Sequence, residues 1–203
     1  MQNSNNAKRE AAEDIFYGQV VINWARWFIV AAGMVLILWT VEEKSQVVMG
    51  IVPIVAIMAI NFYLHGRLLA DRPANPALVG LTSAIDIGVI TILVLFWSEQ
   101  TGLASPFFIL YYPVVLAFAF VMPPKVSIPF TVTTVALFAG VCVLAEPEIL
   151  SSVTTVKALI LRSITLAAMG GLAAYYWRTS LRRPAAKTVR SNGNGAQDSA
   201  AIA

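Results

Sequence analysis

The sequence predicts an all-α polytopic membrane protein, a bundle of six transmembrane helices with both chain ends on the cytoplasmic side. Three observations carry that prediction. The chain of 203 residues is 58% hydrophobic and only 12% charged, with a mean hydropathy of +0.74, well outside the composition of soluble domains. Its apolar residues gather into six runs near the length of about 20 residues that a helix needs to cross about 30 Å of hydrocarbon. Its Lys and Arg residues segregate to alternate connections.

The runs are approximately Val20–Val41, Gln46–Leu64, Pro76–Trp97, Pro106–Met122, Val126–Leu144 and Val156–Trp177. The first is a span rather than a signal peptide, because its polar leader is long and no small-residue cleavage site follows it. That leader, residues 1–19, carries "AKREAAEDIF", which reads equally as a surface helix or as a frayed end. Pro53 in the second run and Pro113 in the fourth are candidate kinks. The membrane domain occupies residues 20–178. The remainder, 179–203, is basic at first and then Gly-, Asn- and Ala-rich without periodicity from Pro184, which predicts disorder.

Six crossings leave both ends on one face. Lys8, Arg9, Arg26, Arg67, Arg72, Lys125 and the five basic residues from Arg178 to Arg190 fall on the N-terminal face. Lys44 and Lys157 fall on the other, and Arg162 lies within the sixth run. This asymmetry predicts N-in, C-in insertion in the inner (cytoplasmic) membrane. Trp24, Trp27, Tyr63 and Tyr175–Trp177 sit at inner ends, Trp39 and Trp97 at outer ends, as interfacial belts require. The sequence pI of about 9.2 points to lipid headgroups rather than to nucleic acid, since no nucleic-acid recognition module is present.

Asp86 in the third apolar run is the clearest anomaly, and Arg162 in the sixth is similar. A carboxylate there costs about 2.5–3.5 kcal/mol to insert, so it must face protein or water. At 1.5 Å per residue, Asp86 lies about 12 Å from the inner edge and Arg162 about 9 Å from the outer one, an axial gap of about 9 Å. An ion pair, separate hydrogen-bonded roles and a proton or substrate path are all open at this stage. Ala167, Gly170, Gly171 and Ala174 repeat at the spacing that lets helices approach closely, within the chain or in a homodimer. Cys142 reads as a small packing residue and His65 as an interfacial one. No nucleophile elbow, Walker loop, HExxH or paired catalytic carboxylates appear, so no enzyme is expected.

The stretch "TGLASPFFILYY" joins the third and fourth runs. Ser105 and Pro106 are suited to the N-cap and first turn of a helix. Phe107/Tyr111 and Phe108/Tyr112 then stand at i, i+4 spacing, forming two aromatic ridges. Anchoring at the outer interface accounts for them, and so does one wall of a site for a flat lipophilic ligand.

The segment from Asp86 to Phe120, "DIGVITILVLFWSEQTGLASPFFILYYPVVLAFAF", resembles the membrane sensor region of redox-responsive histidine kinases. In that family a Gly-Gly-x-x-Asn-Pro-Phe turn between the third and fourth helices is implicated in quinone sensing. Gly102, Pro106 and Phe107 match that pattern, and Thr101 and Ser105 stand in place of its first Gly and its Asn. The resemblance implies a quinone as ligand and Gly102, Ser105, Pro106, Phe107, Tyr111 and Tyr112 as its site, with Asp86 and Arg162 restraining the third and sixth helices. The sole histidine, His65, precedes the third run, so no phosphoacceptor helix or ATP-binding domain is expected on this chain, and a kinase-like partner would carry the output. Two other classes stay open. One is an accessory subunit of a respiratory or photosynthetic membrane complex. The other is a small transporter using Asp86 as a coupling carboxylate.

Overall fold

A computed structural model describes the backbone of residues 2–40, 44–70, 75–97 and 101–180, with the side chains of these apart from 2–18, 44–46, 49 and 177–180. All regular structure among the described residues is helical: α1 (Gln2–Thr40), α2 (Lys44–Leu69), α3 (Pro76–Phe96), α4 (Tyr111–Val121), α5 (Pro124–Ala145) and α6 (Val153–Ser180). The predicted tail from Pro184 lies outside the described residues.

Five helices are long and apolar enough to cross a membrane, and the segment Pro106–Val121 is a shorter apolar one. The chain is thus an all-α, multi-pass membrane protein. Its outer surface agrees: Trp24, Phe28, Leu38, Val52, Leu81, Phe96 and Leu161 are exposed, and only a lipid environment makes so much uncovered apolar surface favourable. The leader is helical and continuous with the first span, since α1 runs unbroken from Gln2.

The fourth run departs most from expectation. It begins as a 3-10 helix over Pro106–Leu110 and becomes α-helical only at Tyr111. A 3-10 turn rises about 2.0 Å per residue against 1.5 Å in an α-helix, so these residues form a rod of about 26 Å and approach the full hydrocarbon thickness despite their small number. Pro113 falls in the first turn of α4, where its missing N–H breaks no intrahelical bond, so it acts as a starter and not as a kink.

α4 is the centre of the bundle, packed against α1, α3, α5 and α6. Its small and β-branched residues Val114, Val115, Ala117 and Ala119 are buried, which lets four neighbours approach one short helix. Ile29, Ile37, Ile90, Val94, Phe107, Leu110 and Phe138 complete the main core. α5 and α6 approach closely at Gly170, where a Cβ would overlap the side chain of Thr131. Intramolecular packing therefore accounts for that glycine of the small-residue repeat, while Ala167 and Gly171 remain exposed. Cys142 is a free, buried packing residue.

Candidate functional site

Two polar junctions interrupt this apolar bundle, one toward each end. At the Trp97 end, Gly102 adopts φ +58°, a left-handed conformation that glycine enters without steric cost. A Cβ there would lie 3.1 Å from both the Ala145 Cβ and the Glu146 Oε1. The glycine therefore lets the turn Gly102–Ala104 press onto the end of α5. That turn directs the Leu103 carbonyl toward α6, where Arg162 Nη1 donates a hydrogen bond to it. The same guanidinium lies over the Phe108 ring, 3.8 Å from its centroid, a cation–π geometry. Phe108 in turn meets Tyr112 edge-on, with ring centroids 5.9 Å apart.

Several predicted site residues are thus brought together, but not as a preformed pocket. Phe107 and Tyr111 are 0% and 1% exposed. Phe107 packs edge-on against Trp97, and Tyr111 against Phe138. The Tyr111 hydroxyl has the partner its depth demands, Thr91 Oγ1 at 2.8 Å. The cleft lined by Phe108, Tyr111, Tyr112, Phe138, Arg162 and Leu166 is too narrow to admit a water molecule. Tyr112 and Arg162 are half-buried and form its accessible edge. Ser105 occupies the N-cap position ahead of Pro106 but makes no capping bond, and its buried Oγ has no hydrogen-bond partner. Pro106 does open a helix, of the 3-10 kind.

Above this cluster, Trp97 ties three helix ends together. Its Nε1 donates to Thr40 Oγ1 at 2.9 Å, and its ring covers Gly50, where any Cβ would overlap the indole.

The second junction lies toward the Val79 end and corrects the suggested pairing of Asp86 with Arg162. Asp86 pairs with Arg26: the Arg26 Nε donates to Asp86 Oδ2 at 2.7 Å, with both side chains 2% exposed. The axial separation between Asp86 and Arg162 explains why they take separate partners. Arg26 instead enters α1 from the same end as Asp86 enters α3, at comparable depth. Asn23, one turn before Arg26, is 2.6 Å from His65 of α2 through its Nδ2 and the His65 Nδ1. Thr82, Ser83 and Asn61 are also buried in α3 and α2. Sequence reasoning counted Arg26 among the inner basic residues and passed over Asn23 and Asn61. The signal was available, because Arg26 lies well inside the first apolar run, as Asp86 does in the third.

Compared with protein-family models, with curated proteins and with solved structures, the chain matches none.

Proposed function

We propose that this chain is a non-enzymatic sensor module of the inner membrane, with both ends cytoplasmic, that responds to a lipophilic carbonyl compound of the quinone class and signals through a separate protein. The observation that carries the reading is the Arg162 bridge. A single guanidinium joins α6 to the Leu103 carbonyl in the Gly102 turn while lying over Phe108. A quinone oxygen is chemically equivalent to that carbonyl as an acceptor, and a flat ring suits the Phe108–Tyr112 edge. A ligand carbonyl that takes the Arg162 donor displaces Leu103 and releases α6 from the turn. Because α6 also packs on α4 and α5, its altered position is available to a partner at the basic cytoplasmic end. The resemblance of the Asp86–Phe120 segment to quinone-responsive sensor regions supports the same assignment.

The test is ubiquinone titration of the protein in lipid nanodiscs, followed by amide exchange over residues 101–110. Faster exchange there on addition of quinone, absent in Arg162→Ala, is the expected result. Exchange that ignores quinone, or responds equally in Arg162→Ala, rejects the reading.

A second reading has its own observation. An apolar groove of about 430 Å³ between α5 and α6 is lined by Val132, Val135, Ala136, Ala139, Ala167 and Gly171 among others, and small residues on an exposed face suit packing by a helix of a larger complex. A stoichiometric partner retained in mild detergent, with no quinone-dependent change in stability, would favour this accessory-subunit role.

A further inference from the structure

We propose that the cavity beside Arg26, at the Val79 end of the bundle, binds one internal water molecule that joins His65 of α2, Asn23 and Arg26 of α1 and Asp86 of α3 into a single hydrogen-bonded network. The site is distinct from the Arg162 cluster and does not depend on the function assigned to it.

Arg26 carries five N–H donors. Asp86 accepts from Nε alone, and Nη1 and Nη2 have no hydrogen-bond partner among the described residues although the side chain is 2% exposed. Asn23 stands one turn earlier on the same face of α1. Its Nδ2, a donor only, meets His65 Nδ1, and its buried Oδ1 is left without a partner among the described residues. Unmatched donors on Arg26 thus lie one helical turn from an unmatched acceptor on Asn23, and both residues border the same cavity. Such groups are costly to leave unmatched among helices and lipid, where no bulk solvent reaches them.

Volume, depth and charge select the occupant. The cavity offers about 20 Å³, room for one water molecule and nothing larger. Arg26 stands about 10 Å past Gln19 along α1 at 1.5 Å per residue, and Gln19 begins the apolar part of that helix, so lipid headgroups do not serve it. The Arg26–Asp86 pair carries no net charge, which gives an ion nothing to neutralise. A water molecule accepts through two lone pairs and donates two hydrogens. It can take the Nη1 and Nη2 protons and give one of its own to Asn23 Oδ1, and about three bonds are usual for buried water. The Asn23–His65 and Arg26–Asp86 pairs tie α1 to α2 and to α3. The water makes these two contacts one, so the three helices are held as a unit.

The test is water-to-methyl magnetisation transfer, followed by solid-state NMR on the full chain in lipid bilayers with labelled Ile and Val methyl groups. Ile22, a buried wall of the cavity, is expected to show a water cross-peak, and Ile90 in the apolar core none. In Arg26→Leu/Asp86→Leu, which removes the donors and the carboxylate together, the Ile22 cross-peak is expected to vanish, whereas interfacial water would leave it unchanged. No cross-peak at Ile22, or one that persists in the double variant, overturns the proposal. A second arm uses Val79→Ile, which adds a methylene to the cavity wall and keeps every polar group. Evicting a bound water in this way is expected to lower the unfolding midpoint by about 3 °C. In the Arg26→Leu/Asp86→Leu background the same change is expected to raise the midpoint or leave it unaltered. A rise on Val79→Ile alone, the mark of a filled dry cavity, overturns the proposal, and so does an equal fall in both backgrounds, the mark of overpacking. Should the double variant fail to fold, the Ile22 cross-peak in Val79→Ile decides: its loss is expected, and its retention overturns the site.

Discussion

Two arginines enter the apolar bundle, and they are satisfied in opposite ways. Arg26 is sealed among helices and meets a carboxylate. Arg162 is half-buried and meets a backbone carbonyl and an aromatic face. The difference follows from depth and access. A fully enclosed guanidinium needs a counter-charge to offset desolvation, whereas one near the edge keeps part of its hydration and can extend its stem toward the interface. The first arrangement locks α1 to α3. The second is a lighter join between α6 and a turn, and hence the one a ligand can exchange.

That contrast is broken most sharply at the sealed pair. Arg26→Leu strands Asp86 in the bundle and is expected to destabilise the protein by about 3–5 kcal/mol. Arg26→Leu/Asp86→Leu is expected to recover most of that loss. Unfolding titrations of the singles and the double measure the coupling, and additive losses would show that the two charges act independently.

A smaller effect is expected at the Trp97 end, where the helices are held by shape. Gly50→Ala pushes a methyl group into the Trp97 indole, and overpacking of this kind costs about 1–3 kcal/mol. Displacement of the ring should also change Trp97 fluorescence relative to a Trp97→Phe reference. An unchanged spectrum and stability would contradict the close approach of α2 and α3 there.

Removing the lighter arginine, Arg162→Ala, loses one hydrogen bond and one stacking contact and is expected to cost about 1–2 kcal/mol, clearly less than Arg26→Leu. Equal costs would erase the distinction between the two junctions. The smallest effect is expected at the Thr91–Tyr111 bond. Thr91→Val should cost about 0.6 kcal/mol, the average measured for such bonds between membrane helices, and at most about 1.7 kcal/mol. Thr91→Val/Tyr111→Phe should cost less than the two singles combined, because no hydroxyl is then left unpartnered.

The two junctions also differ in how far they were legible beforehand. Gly102, Pro106 and the aromatic ridge announce a turn followed by a helix, since glycine and proline impose backbone angles locally. That Phe107 and Tyr111 face a filled core, with Trp97 and Phe138 against them, depends on helices distant in sequence. Asp86 was conspicuous as a charge in an apolar run, but its partner was not. Arg26 resembled the interfacial basic residues that set insertion, and only its position beside α3 separates an ion pair from a snorkelling side chain. Asn23 and Asn61 were inconspicuous because small polar residues are common in membrane helices.

What the amino-acid sequence determined by itself is the all-helical, multi-pass character of the chain. Hydrocarbon tolerates no unpaired backbone groups, so long apolar runs have one outcome regardless of their neighbours. What only the tertiary structure decided is which helices meet: α4 at the centre, Arg26 on Asp86, Arg162 on the Leu103 carbonyl. Lipid is as apolar as the helices and supplies little force to select among arrangements, so the choice falls to close packing and to a few polar pairs. Those are properties of helix pairs in space, which no single run of residues contains.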